Sequence, residues 1–254
     1  MDGSLEGKVA LVTGGSSGIG RATAQLLAKK GARVVIQDID IEKGNDTVQS
    51  IVKEGGESYF VKGDVTSKSD VKNVISETVD RYGSLDCVMN NAATLRGLHT
   101  KIHEYEEETW DHYMDILLKA VWLGMKYQIT QMLKQGGGTI VNTSSIAGLT
   151  GRSGSCAYVA AKHGVIGLTK TAALEYAKDG IRINAVCPAQ IHTPRMDKII
   201  ELDPEFLERE IPTMPIGRVG QPIEIAEATI WLCSDESSFV TGHALAVDGG
   251  YLAQ

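Results

Sequence analysis

The chain has 254 residues, 43% hydrophobic and 22% charged, which is enough apolar material for one large α/β core or two small ones. A net charge of −7 with no run of Lys or Arg argues against a polyanion-binding surface, so no nucleic-acid partner is expected. No apolar stretch approaches the roughly 20 residues that span a bilayer.

The first residues, MDGSLEGKVA, have neither the basic start nor the apolar run of a signal peptide. Cys87, Cys156, Cys187 and Cys233 are widely spaced and form no CxxC. They read as free thiols in a reducing compartment, and no metal site is expected. A cytoplasmic location follows as the expectation.

In chain order, short β-branched runs alternate with longer helical patterns. Residues 9–13 (VALVT), 33–37, 58–62, 86–90, 139–144, 181–187 and 244–247 (ALAV) read as seven strands, several apolar almost throughout, as in strands covered on both faces. Helical patterns fill 19–30, 41–54, 68–81, 106–134, 158–178 and 222–234. Gly31, Gly55, Gly83, Gly136 and Gly180 follow five of them, where left-handed C-caps belong. Repeated strand–helix–strand units predict right-handed crossovers and a doubly wound, mostly parallel seven-stranded sheet with helices on both faces. No linker or repeat divides the chain, so residues 1–254 are expected to form one domain. Residues 189–220 lack clear periodicity and carry Pro194, Pro204, Pro212 and Pro215. A loop of that length is expected to be functional.

TGGSSGIG (13–20) leaves the first strand and opens the first helix. Gly14 and Gly18 allow a tight turn and close backbone approach, Gly20 allows the helix to pack near the sheet, and the helix N-terminus presents free N–H groups to a pyrophosphate. Asp38 stands eighteen residues beyond Gly20, after the second strand. Its carboxylate would accept from both adenosine ribose hydroxyls and repel a 2′-phosphate, so NAD is favoured over NADP. Arg21 and Lys43 are the nearby cations, and Asp40 is the alternative acid if Asp38 is not the ribose ligand.

YVAAK (158–162) sets Tyr158 and Lys162 at i and i+4 on one helical face. Such a pair is common on helix surfaces. In a suitable site, however, the ammonium would stabilise the phenolate and bring an ordinary phenol, with a pKa of about 10, towards working pH.

Together TGGSSGIG, GDV (63–65), NNAA (90–93), NTSS (142–145), YVAAK, RINAVCPA (182–189) and SSFVTGHALAVDGG (237–250) resemble the short-chain dehydrogenase/reductase family over nearly the full length. The resemblance implies a Rossmann fold and an NAD-dependent oxidoreductase interconverting a secondary alcohol and a ketone, commonly as a homotetramer. It implies a catalytic Ser145, thirteen residues before Tyr158, in preference to Ser144, acting with Tyr158 and Lys162. Ser17 and Ile19 would lie along the pyrophosphate, Asp64 and Val65 at the adenine edge, and Asn91 and Ala92 beside its ribose. Tyr158 and Lys162 would also hold the nicotinamide ribose. Pro188, Ile191 and Thr193 would border the nicotinamide, with Ala189 where the pattern usually has glycine. The 222–234 helix and ALAV strand would form a subunit face.

One departure stands out. In WDHYMDILLK (110–119) the position of the family's helix asparagine, associated with a water in a proton relay, holds Leu117. Leu117 reads as sharing an amphipathic face with Tyr113, Val121 and Gly124, and Asp115 and Asn142 are the polar substitutes nearby. An active enzyme with a rerouted relay is one reading; an NAD-binding scaffold or sensor with weak turnover is its rival. A 3-oxoacyl-acyl-carrier-protein reductase is a further alternative, weakened because Arg96, Arg152 and Arg195 are isolated in sequence. The pocket is expected beside the residues after Ala93, 145–149 and 189–220, with Ala147, Gly148, Cys156, Gln190, His192 and Met196 as lining candidates. His99, His103 and His192 read as solvent-exposed rather than as ligands. The substrate expected is a sugar, polyol, steroid or cyclic alcohol.

Overall fold

The structure is a computed structural model and describes residues 4–94 and 100–254. Arg96 and His99 lie outside the described residues. Seven strands form one parallel sheet in the order β3-β2-β1-β4-β5-β6-β7. They are β1 (Val9–Thr13), β2 (Arg33–Asp38), β3 (Glu57–Lys62), β4 (Cys87–Asn90), β5 (Gly138–Thr143), β6 (Ile181–Pro188) and β7 (Ala244–Val247). This is a Rossmann-type α/β fold, and every pairing, including that of β7 with β6, is parallel.

Alternation along the strands sends side chains into two separate cores. Val9, Leu11 and Val35 meet helices α3 (Lys68–Tyr82), α5 (Ala120–Gln135) and α6 (Cys156–Tyr176). Ala10, Val12, Val34 and Ile36 meet α1 (Gly18–Lys29), α2 (Ile41–Lys53) and α9 (Pro222–Cys233) on the other face. Each fully buried Val, Leu or Ile contributes about 1.5–3 kcal/mol, which is why the central strands carry almost no polar residue until their C-terminal ends. There the composition changes. Asn90 donates to Gln128 Oε1 (3.0 Å) and Asn142 Oδ1 (2.9 Å), and Asn142 donates to Thr169 Oγ1 (3.0 Å). A buried polar network thus ties β4, β5, α5 and α6 together just below the strand ends.

Two expectations need correction. The segment 189–220 is not one loop: it contains α7 (Pro194–Leu202) and the five-residue α8 (Phe206–Glu210). Thr193 caps α7, accepting from Met196 N–H at 3.4 Å, and Pro194 occupies the first turn. These helices are too short to show a 3.6-residue period, although the Thr-Pro start was visible.

The helix expected over 106–134 is broken by a π-helical turn, Asp115–Lys119, between α4 (Glu107–Met114) and α5. The wider turn shifts the helix face, so Tyr113 and Leu117 pack with Ala157 and Ala161 against Tyr158, whereas Val121 joins the sheet core. The single face expected for Tyr113, Leu117 and Val121 is therefore split.

Candidate active site

β1 and β4 are neighbours although β2 and β3 lie between them in sequence, so the chain reverses its winding direction there. A cleft of about 640 Å³ opens beyond the strand ends at this switch point. Its first end is backbone. Gly14 and Gly18 have φ of +66° and +53°. A Cβ on Gly14 would stand 2.8 Å from Ala92 Cα, and one on Gly20 would stand 2.1 Å from the Gly14 carbonyl oxygen. Gly20 is therefore required for packing on the turn itself rather than on the sheet. Asn91 closes the turn by donating to Gly14 O at 3.1 Å, while Thr13 Oγ1 accepts from Asn91 N–H at 3.0 Å. Ser17 stands at the N-cap of α1 without a side-chain capping bond, and with Ile19 it lines the cleft.

The Asp38 carboxylate is held in place by Ser16 N–H and Asp40 N–H, one to each oxygen at 3.1 Å. Asp40 has another role. It caps α2, accepting from Lys43 N–H at 3.1 Å, and pairs with Lys43 Nζ at 3.0 Å. The Lys43 N–H bond, followed by its ammonium, holds Asp40 below the usual carboxylate range. Gly63, Asp64 and Val65 line the same end, and one Asp64 oxygen accepts from both Thr66 N–H and Oγ1. The buried Gln37 Nε2 also borders the cleft and has no hydrogen-bond partner among the described residues. A turn closed to side chains, a fixed carboxylate and an unpaired amide donor fit a dinucleotide.

At the far end the structure brings Ser145, Tyr158 and Lys162 together. Three consecutive residues of β5 and its exit anchor α6: Asn142 through Thr169, Thr143 through its carbonyl, and Ser144 through its hydroxyl. Lys162 Nζ donates to Thr143 O at 2.7 Å, and Ser144 Oγ donates to Lys162 O at 2.9 Å. Ser144 also borders the cleft, but its hydroxyl is committed to the α6 backbone. Ser145 Oγ accepts from Ala147 N–H (3.1 Å), lies 3.4 Å from Pro188 O as a donor, and also hydrogen-bonds Tyr158.

The Lys162 Nζ stands 5.8 Å from the centre of the Tyr158 ring, and the Tyr113 ring meets Tyr158 edge-on at 6.3 Å. Burial pushes the Tyr158 phenol up, but the charges of Arg195 and Lys162 and the bonds from Ser145 and Arg195 outweigh it. The phenol ends below its ordinary value. Burial lowers Lys162, Tyr158 opposes it, and the Arg195 charge adds to the lowering.

Pro188, Ile191 and Thr193 line the cleft between its two ends, and Thr193 Cγ2 approaches the position a Gly18 Cβ would take to 3.3 Å. Ala189 N–H donates to Val247 O at 3.4 Å. Among the lining candidates, Gln190 and Met196 border the cleft, but Ala147, Gly148, Cys156 and His192 do not. Gly148 packs under α6, where a Cβ would meet Ser144 Oγ at 2.5 Å. His192 is exposed beside Asp197, at 3.2 Å, and His103 is exposed beside Glu104. Thr94, Arg195 and Phe206 line the cleft from segments expected to wall it, whereas His112 and Arg152 line it from outside those segments. They come from five separate segments, and no local pattern marks them. Neither polar substitute for the helix asparagine reaches the site: Asp115 is exposed and pairs with Lys119 at 2.9 Å, and Asn142 is engaged in the buried network. No cluster of three metal-ligating side chains occurs among the described residues.

Fold and site define an enzyme built around a dinucleotide cleft. A family described as Enoyl-(Acyl carrier protein) reductase matches residues 14–252. The chain is 45% identical to the cyclohexanol dehydrogenase of Acinetobacter sp., covering 100% of this chain and 98% of that protein. It is 43% identical to a 2,5-dichloro-2,5-cyclohexadiene-1,4-diol dehydrogenase of Sphingobium indicum, over 98% of each chain. The solved structure of levodione reductase superposes with a TM-score of 0.93 at 35% identity, covering 98% of this chain and 99% of that one. The chain belongs to the short-chain dehydrogenase/reductase family. It is an oxidoreductase of the alcohol dehydrogenase and ketoreductase class, whose family uses NAD(P). Among the described residues, no helix is long and apolar enough to cross a membrane.

Leu117 is fully buried in the apolar cluster against Tyr158. Leu117→Asn would place an amide there and is expected to cost about 2–4 kcal/mol in denaturant unfolding without raising turnover. Parental stability together with a large gain in turnover would mean that the π-turn still holds the polar site of the family's asparagine.

Proposed function

We propose that this enzyme interconverts a small to medium cyclic secondary alcohol and its ketone, using NAD, with Ser145, Tyr158 and Lys162 as the reacting centre. The observation that carries this reading is continuity: one cleft has the glycine turn and Asp38 at one end and these three side chains at the other. Residues 189–220 are its substrate-binding region, within one dinucleotide-binding and catalytic domain.

Gly14, Ser17, Gly18, Ile19 and Gly20 would hold the pyrophosphate, Asp64 and Val65 the adenine, Asn91 and Ala92 its ribose, and Pro188, Ile191 and Thr193 the nicotinamide side. Tyr158 and Lys162 would bind the second ribose. When bound, the dinucleotide supplies the nicotinamide that exchanges a hydride with the carbinol carbon. In oxidation, Tyr158 Oη takes the hydroxyl proton while Ser145 Oγ hydrogen-bonds the same oxygen, and the C–O bond becomes a carbonyl as the hydride leaves. Reduction runs in reverse, with Tyr158 as the acid.

A preference for NAD is supported by the Asp38 carboxylate at the ribose end and by the fate of the nearby cations. Arg21 does not line the cleft, and Lys43 is tied to Asp40. A ring substrate is supported by the apolar wall of Ile146, Met196, Ile199 and Phe206 and by the names of the relatives. A homotetramer is supported by the exposed Trp122, Leu133 and Leu174 on α5 and α6 and by Ile223 and Trp231 on α9. A monomer by light scattering would contradict it.

Reduced-nicotinamide absorbance with NAD⁺ or NADP⁺ and a panel of cyclic secondary alcohols tests the chemistry. Turnover is expected with NAD⁺ and is expected to fall about 10²–10⁴-fold in Tyr158→Phe. Undiminished turnover in that variant would overturn the assignment of Tyr158, and faster turnover with NADP⁺ would overturn that of Asp38.

A further inference from the structure

The sequence leaves Arg195 isolated; the structure does not. It is the second residue of α7, and capping by Thr193 at the start of that helix directs it into the cleft. Its guanidinium carbon stands 5.2 Å from the centre of the Tyr158 ring, nearer than the Lys162 ammonium at 5.8 Å. Tyr158 therefore has two cations within 6 Å of its ring centre, one from its own helix and one from α7. Among the described residues, Arg195 has no carboxylate partner. Arg152, in the same cleft, differs: Glu210 holds it at 2.9 Å and also accepts from Gln190 Nε2 at 2.7 Å. The charge of Arg152 is balanced, whereas that of Arg195 is directed at the phenol.

We propose that Arg195 is a positioning residue for the reaction: a second cation, carried by α7, that holds the Tyr158 oxygen ready to receive the substrate's hydroxyl proton. The inference rests on the reading of Tyr158 as the proton acceptor. The surroundings of the ring explain why one ammonium is not enough. Tyr113, Leu117, Ala157 and Ala161 pack an apolar wall against it, and burial opposes the phenolate. Lys162 shares its proton donors with the Thr143 carbonyl. Ser145, the other group that bonds the phenol, is neutral, and the Cys187 thiol near Lys162 is pushed by burial up to about 11. Opposite charge at this range lowers an acid by about one to three pH units. The step it serves is balanced within the alcohol oxidation: the O–H proton passes to Tyr158 Oη, the C–H pair leaves as hydride to the oxidised nicotinamide, and the carbonyl forms.

Because Arg195 rides on α7 and Tyr158 on α6, the arrangement links proton transfer to the seating of the substrate segment. Without that segment in place, the phenol keeps Lys162 and the Ser145 bond but loses its second cation.

The test is the pH dependence of kcat/KM for NAD⁺-driven oxidation of a cyclic secondary alcohol in the parent, Arg195→Met and Arg195→Lys, with NAD⁺ affinity and thermal unfolding checked for each. Oxidation needs the phenolate, so the rate rises with pH to a plateau. In Arg195→Met the rise is expected to move up by about one pH unit. That costs about tenfold at pH 7 and leaves the high-pH plateau in place. Arg195→Lys should return most of the displacement. An unmoved rise, a uniform loss at every pH, or an Arg195→Lys protein no better than Arg195→Met would overturn the proposal. Turnover that survives Tyr158→Phe would instead sink the underlying reading, so the two failures are distinguishable.

Discussion

A buried ammonium is the constraint around which the active-site end of this protein is organised. Lys162 is 3% exposed, and a charge in that position is tolerable only with close partners. Its partners come from β5, whose last residue gives its carbonyl to Nζ and whose exit residue, Ser144, binds the Lys162 backbone. Those bonds require α6 to lie against the end of β5, and the Asn90–Asn142–Thr169 network beneath holds it there. The low dielectric that makes the ammonium costly also strengthens its pull on the phenol one turn earlier. Placement of Ser145 follows from the same path, since the chain leaving β5 must turn immediately past Ser144.

The two halves of the cleft are built differently. The dinucleotide half is mostly backbone: a turn whose Cβ positions are closed, a helix start, and a carboxylate fixed by main-chain N–H groups. The substrate half is made of side chains from segments far apart in sequence, several of them on short helices after β6. On the proposed assignment, such a division would leave the dinucleotide end unchanged while substitutions on α7 and α8 alter which alcohol is accepted.

The legibility of the sequence follows the same division. Apolar runs at β1, β2 and β6 mark strands buried on both faces, and each lies within one residue of its observed limits. Gly31, Gly55, Gly83, Gly136 and Gly180 all have positive φ, as expected for left-handed caps. The glycine turn, Asp38 and YVAAK are contiguous or regularly spaced, so their geometry could be anticipated. The π-turn at Asp115–Lys119 could not, because one wider turn leaves the composition unchanged while rotating everything after it. Arg195 was equally hidden: its direction depends on the Thr193 cap and on where α7 meets the cleft. Ala147 and Gly148 missed the pocket because residues just past Ser145 turn into the core, and His192 missed it because it is exposed beside Asp197.

Tyr158 is a half-buried phenol with two cations near its ring, acidified below its ordinary value. A carbon-13 NMR pH titration of ring-labelled tyrosine tests that acidity without substrate. The account predicts that one of the eight tyrosines titrates below the ordinary phenol range and that this resonance is missing from Tyr158→Phe. A Tyr158 resonance that titrates at or above that range would contradict it.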